Sequence, residues 1–318
     1  MLQDSNAIVT LCSHVCVGEG VRPLEPREYS DLTQLLHQVG KTPKDLFGFS
    51  AEDFRTILGF DTERTQRFMR LLDRNASLSF ELGQYQNMGI EVITRADAGY
   101  PKKLKKKLVN QCPPLFYYAG DLSLLDRKLI GYVGSRTITQ EDLDFTVQAV
   151  RKTTDLGYGV VSGGAKGIDT VSGTEALLRG GVSVEYLSDS MLRKLKNRDV
   201  IKNIQQGKLL LLSVSKPDTG FNVGMAMMRN RYIYAQSVGT VIIRSDLNKG
   251  GTWTGANDNL KNNWCTTLCW DHPYPGNQAL IENGAIPIDE NWDGGLPDEM
   301  SKEMTSETYE QTSLFGMD

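Results

Sequence analysis

Two apolar runs that each break into a glycine-bearing turn constrain this chain more than any other feature of its 318 residues. The first, Leu129-Ile130-Gly131-Tyr132-Val133, runs into Gly134-Ser135-Arg136-Thr137. The second, Gly159-Val160-Val161-Ser162, runs into Gly163-Gly164-Ala165-Lys166-Gly167-Ile168-Asp169. A short buried-type strand, then small residues, then a helix start is how an open parallel α/β sheet builds an anion site at its carboxyl edge. Glycines let backbone N–H groups approach a phosphate with no Cβ in the way, and Arg136 and Lys166 supply cations. The pair reads as a cradle for a phosphate backbone.

The same alternation continues from 128 to 290. Strands are expected at 128–133, 159–162, 182–187, 209–214, 240–244 and 265–270, each pair separated by a helical segment. The first of those helices opens at Thr139 with Asp142 three residues on, a near-capping box, and closes at Gly157. This βαβ order predicts an α/β fold with a doubly wound, mostly parallel sheet. Three more clusters fall at strand ends and so could share one crevice. They are Arg229-Asn230-Arg231, Gly250-Gly251-Thr252, and Asn277 in Pro275-Gly276-Asn277, which opens a helix over 278–283. Two guanidinium forks and an amide suit phosphates or base edges. Each cluster also has a plainer reading: turn glycines, surface ion pairs, and, for Asp169, a helix cap. The methionines Met225, Met227 and Met228 read as core.

Upstream, residues 1–85 are helical in short pieces, a small domain of the sterile-alpha or helix-hairpin-helix kind that either pairs with protein or touches DNA backbone. A linker-like strand at 89–94 follows, then the run Lys102-Lys103-Leu104-Lys105-Lys106-Lys107, read as a solvated helix face with an outer phosphate contact as the alternative. Residues 113–118 read as an extended segment leading into the main domain, 86–290. Net charge is −4, yet residues 289–318 carry nine acidic side chains against one lysine, so the first 288 residues sum to +4. A mildly basic body carries an acidic tail, 291–318, which reads as flexible. No run of about 18 apolar residues or signal-peptide pattern occurs, which places the expected location in the cytoplasm with no membrane contact. The five cysteines form no disulfide framework, and Cys12-x3-Cys16 and Cys265-x3-Cys269 lack a coordinated partner set, so neither metal nor cofactor is expected.

The order Gly-Ser-Arg, Ser-Gly-Gly-Ala-Lys-Gly-Ile-Asp, Arg-Asn-Arg, Gly-Gly-Thr and Gly-Asn-x-x-Leu-Ile-x-x-Gly-Ala resembles the DNA-processing protein A family (DprA, also called Smf). The opening segment, Asp97 to Tyr100-Pro101 and then Pro113-Pro114-Leu115-Phe116 and Gly120-Asp121-Leu122, is similar too. The resemblance spans roughly residues 86–288 and implies an extended Rossmann-like domain that binds single-stranded DNA. It also implies a possible homodimer and delivery of a strand-exchange recombinase during DNA recombination and natural transformation. Carried over by position, it makes Gly134, Ser135, Arg136, Ser162, Gly163, Gly164 and Lys166 part of the pocket, with Arg229, Asn230, Arg231, Gly251, Thr252 and Asn277 beside it. The chain departs from the family pattern at Ser172-Gly173, where Ala-His is common, and at Ser188-Asp189-Ser190-Met191. The winged-helix domain seen at the carboxyl terminus of many members is not expected here.

Near the chain end, Gln311, Leu314 and Phe315 resemble a Gln-x-x-Leu-Phe peptide that docks into a replicative sliding clamp. The functional expectation is a single-stranded DNA-binding accessory protein of DNA processing. The alternative is a nucleotide-binding or nucleotide-hydrolysing protein, either a sensor or a nucleoside-monophosphate hydrolase. Hydrolysis would want a Pro-Gly-Gly-x-Gly-Thr loop with a nearby Glu, whereas this chain has Lys249-Gly250-Gly251-Thr252-Trp253. With three histidines and no catalytic triad or carboxylate pair assembled by spacing, no catalytic residue is assigned and the expectation is a non-enzyme.

Overall fold

In the computed structural model, which describes residues 3–297, strand β3 (Leu129–Val133) is buried at every position, as a strand covered on both faces must be. Strand β4 (Gly159–Ser162) pairs with it in parallel on one side, and β7 (Gly239–Ile242) on the other. β7 then pairs in parallel with β8 (Thr266–Trp270), and β8 with β9 (Ile286–Ile288), which gives the order β4-β3-β7-β8-β9. The chain leaves β3 toward β4 and comes back on its other side at β7. β3 is therefore where the strand order reverses, and the crevice beyond the carboxyl ends at such a reversal is where open α/β sheets take ligands.

These strands lie in one of two compact units, Arg127–Ser183 with Gln236–Asp318. Its core joins Ile130, Tyr132, Val160, Val241, Ile243 and Leu268 to Phe145, Ala149 and Val150. The last three belong to the helix Gln140–Asp155, whose start is the expected capping box: Thr139 accepts from the Asp142 nitrogen, and the Asp142 carboxylate accepts from the Thr139 nitrogen at 2.8 Å.

The other unit comprises Met1–Asp126 with Val184–Ala235. It holds β1 (Glu91–Thr94), β2 (Leu115–Ala119), most of β5 (Ser183–Tyr186) and β6 (Leu209–Ser213), ordered β1-β2-β6-β5. Both β1 on β2 and β2 on β6 are antiparallel. The segment expected to be a linker strand is thus a hydrogen-bonded strand of the sheet. Leu11, Leu32, Phe54 and Phe68 from the amino-terminal helices share one core with Leu115, Tyr117, Leu209 and Leu211. One continuous core therefore runs across residue 85.

Two features of this unit follow from where backbone groups find partners. Three helix starts are closed by their own carboxylates. Asp45 accepts from the Thr42 nitrogen at 2.7 Å, Asp53 from the Ser50 nitrogen at 2.8 Å, and Asp61 from the Arg64 nitrogen at 2.7 Å. Amides engaged in this way, beside a fixed negative charge, are poor hosts for phosphate. The second feature is Arg74, which is buried and donates to the Thr10, Ser13 and Val15 carbonyls. It closes the end of the helix Gln3–Cys12, where four carbonyls lack intrahelical partners.

The expected doubly wound, mostly parallel α/β fold is the one observed. Strand ends match the expected segments within about two residues, the usual tolerance at element boundaries. β9 was not expected, because Ile286-Pro287-Ile288 is too short to show a period. The helix expected over 278–283 starts earlier, as Pro275–Glu282. Among the described residues no helix is long and apolar enough to cross a membrane.

Replacing Arg74 with Met keeps the apolar stem and removes the donors. Three buried carbonyls then lose charge-assisted bonds, and urea denaturation of the full chain should show a loss of about 3–5 kcal/mol.

Candidate nucleic-acid interface

The loops after β3, β4, β7 and β8 meet at the carboxyl edge of the second unit. Gly167 has φ +80, and a Cβ there would stand 2.3 Å from the Ser135 carbonyl oxygen and 2.8 Å from the Arg136 Cα. The β4 loop therefore rests directly on the β3 loop, and the Ile168 nitrogen donates to the Ser135 carbonyl at 3.3 Å. On Gly134 a Cβ would lie 2.5 Å from Ile168 Cγ1 and 3.4 Å from the Arg244 nitrogen. That contact brings in the β7 loop. Asn277, from the β8 loop, completes the set: its Oδ1 accepts from the Ser245 nitrogen at 2.8 Å, and its Nδ2 donates to the Ile243 and Trp270 carbonyls at 2.9 Å each.

Two cations stand out from this framework. Arg136 and Lys166 are exposed, on loops locked together through Gly167, and no ion-pair partner of Lys166 occurs among the described residues. Ser135 is half-buried, its Oγ accepting from the Thr137 nitrogen at 3.1 Å. Gly251 and Thr252 are half-buried in the first turn of the helix Gly250–Asn262. That turn has no acidic residue and its N-cap Lys249 makes no side-chain cap bond, unlike the helix starts at Ser50 and Asp61.

Three expectations change. The amides of Gly163 and Ala165 do not open outward as a phosphate nest, because Asp169 Oδ2 accepts from them at 3.2 and 3.4 Å. Anion attraction in this loop comes from the Lys166 side chain rather than from those two backbone groups. Ser162 is fully buried, and its Oγ is turned to the Asp169 carbonyl and the Gly164 nitrogen at 3.4 Å. Asn277 is likewise fully buried, with its amide engaged by backbone, so its observed role is to staple loops together.

Arg229, Asn230 and Arg231 lie on the helix Val223–Gln236, in the first unit through Ala235. Arg229 is buried, Asn230 and Arg231 are half-buried, and Arg231 Nη1 donates to Gln111 Oε1 at 2.7 Å. Gln311, Leu314 and Phe315 lie outside the described residues.

Arg244 is a residue that sequence reasoning missed. It follows β7 at the strand-order reversal, pairs with Asp142 Oδ2 at 3.2 Å, and stacks over the Tyr274 ring at 4.6 Å. Burial is the main cause raising the Tyr274 phenol above its ordinary pKa, and Asp142 beside it pushes the same way. Below Tyr274 the stack continues through His272 at 4.2 Å and Trp270 at 4.2 Å to Phe145 at 4.3 Å. The signal for Arg244 was present, as a charged residue ending an apolar strand. The strand order that makes this end matter was not.

For metals, no group of three or more His, Cys, Asp or Glu side chains suited to an ion occurs among the described residues. Burial pushes the Cys269 thiol up to about 12 and raises Cys12 as well, which keeps both protonated.

Comparison with known proteins fits this arrangement. The sequence model of the family described as "DNA recombination-mediator protein A" matches residues 91–293. The chain is 26% identical over 213 residues to the DNA processing protein DprA of Bacillus subtilis, covering 65% of this chain and 71% of that one. The X-ray structure of DNA processing protein A from Streptococcus pneumoniae superposes with a TM-score of 0.62 at 21% identity, over 83% of this chain and 95% of that one. A Helicobacter pylori structure, described as "Structural insights into the unique single-stranded DNA binding mode of DNA processing protein A", gives a TM-score of 0.53 at 22% identity, over 68% and 95%.

Asn277→Leu, close in volume, takes away the Asn277 partner of the Ser245 nitrogen and of the Ile243 carbonyl, and leaves the Trp270 carbonyl only its bond from the His272 nitrogen. Unfolding free energy should fall by about 3 kcal/mol or more, measured by denaturant titration. If Asn277 instead touched a ligand at the surface, stability would hardly change.

Proposed function

Since the chain belongs to the DNA recombination-mediator protein A family, we propose that it is a single-stranded DNA-binding accessory protein of DNA processing and recombination. The observation that carries this reading is the pair Arg136 and Lys166: two exposed cations on loops held in contact by Gly167, at the strand-order reversal. A rigid base under two long charged side chains suits a row of phosphates. The loops fix where the charge sits while the side chains adapt to a flexible strand. Arg244 adds a third cation whose direction is set by Asp142 and Tyr274. The helix start at Gly251 and Thr252, with no acidic residue in its first turn, contributes partial positive charge. The relatives support the reading: the Bacillus subtilis protein is a DNA processing protein, and the Helicobacter pylori structure is of a single-stranded DNA binding mode.

In this account the phosphate backbone is held and sequence preference is weak, because the cations at these loops follow the backbone of a flexible single strand. The protein holds strands of any sequence and performs no chemistry on them. It passes the strand to a strand-exchange recombinase, works as a homodimer in the cytoplasm, and reaches a sliding clamp through Gln311, Leu314 and Phe315.

Fluorescence anisotropy with oligo-dT, matched duplex and a salt titration tests the interface. Single strands should bind more tightly than duplex. Affinity should fall steeply between about 50 and 200 mM salt, and each of Arg136→Ala and Lys166→Ala should reduce the log–log salt slope by about 0.7. The double variant should lose at least about tenfold in affinity at physiological salt. Binding with no salt slope, or an unchanged slope in both variants, would overturn the assignment.

A further inference from the structure

The lysine run forms the helix Lys102–Leu108, with five lysines in seven residues. Leu104 and Leu108, one turn apart, are buried and fix the helix to the first unit. Lys102, Lys105 and Lys106 are left exposed. Among the described residues no carboxylate forms an ion pair with any of the three. The charges at the last turn gain from the helix dipole, but Lys102 stands at the positive end, and it faces like charges at i+3 and i+4. Folding alone does not call for this density, about five charges along 10 Å of helix axis.

The turn that follows, Val109–Gln111, points the same way. Val109 has φ +46 and ψ −112 and is 60% exposed. A β-branched residue in that region is strained, and such backbone persists where its surroundings over-determine it, commonly at ligand sites. Part of the hold comes from Gln111, whose Oε1 accepts from Arg231 Nη1 at 2.7 Å. The half-buried Arg231 guanidinium is thereby drawn to the carboxyl end of the lysine helix, so two elements bring four cations to one stretch of the first unit.

We propose that Lys102, Lys105, Lys106 and Arg231 form a second track for nucleic-acid backbone, indifferent to base sequence. It rests on the single-strand-binding reading given above and adds backbone contacts in the first unit. The density of charge favours a nucleic acid over an acidic protein. A nucleic-acid backbone carries one phosphate after another, so each lysine of the row meets an anion, and a compact charge on a flexible stem follows mobile phosphates.

The test uses the full chain and long oligo-dT. The triple variant Lys102→Gln, Lys105→Gln, Lys106→Gln should lower the salt slope by about 2, from about 0.7 per phosphate lost. The matching Lys→Arg triple should keep the wild-type slope. The melting temperature of the Gln triple should be unchanged or higher, since it relieves like-charge repulsion, and this separates lost binding from lost fold. A wild-type slope in the Gln triple, with Arg136→Ala and Lys166→Ala weakening binding, overturns the track alone. A reduced slope in the triple with no effect from Arg136→Ala or Lys166→Ala supports the track and sinks the loop site. No binding of wild type to any DNA overturns both. Loss of binding to a poly-glutamate peptide in the triple, with DNA affinity unchanged, would make the surface a protein contact and overturn the track.

Discussion

Everything at the carboxyl edge of the second unit depends on one close approach, Gly167 against the backbone of Ser135 and Arg136. No side chain fits between these loops, and the positive φ at Gly167 is one that L-residues rarely adopt. The contact makes a single platform of two loops that the sequence separates by a full strand-helix unit. Arg136 and Lys166 inherit their proximity from it. The Asn277 staple does the same for the β7 and β8 loops, in the currency of hydrogen bonds rather than steric fit. Both devices are buried or backbone-bound, so they hold the charges in place without competing for a ligand.

Electrostatics then divides the molecule. In the second unit Asp169 takes two loop amides, and what remains for an anion is side-chain charge at the rim. In the first unit Asp45, Asp53 and Asp61 close three helix starts, so those helices offer little to a phosphate through their backbone. Positive charge appears instead at the lysine helix and at Arg231. The net charge of −4 conceals this, because the acidic residues concentrate at the carboxyl end of the chain.

The strands of the parallel sheet were legible because each is a short apolar run bounded by glycine or polar turns, and buried strands leave that mark. The capping box at Thr139 and Asp142 was legible for the same local reason. What escaped depends on pairing across long sequence separations. Strand order decides that Arg244 lies at the reversal. The Asp169 carboxylate decides which amides are engaged. Only burial shows that Ser162 and Asn277 face inward. The glycine motif correctly located the turn, but its chemistry differs from what a glycine-rich loop alone implies. The amino-terminal helices looked separable from the sheet because their periodicity stops before β1. Their apolar faces in fact pack on Leu115, Tyr117 and Leu211.

Hydrogen–deuterium exchange of the full chain, with and without oligo-dT, bears most directly on the claim that a single strand lies across the loops of the second unit. The account predicts slowed exchange at 134–138, 164–168 and 244–252, with little change at the acid-capped helix starts around 42–64. Protection confined to those helices, with the three loop segments unaffected by saturating oligo-dT, would contradict it.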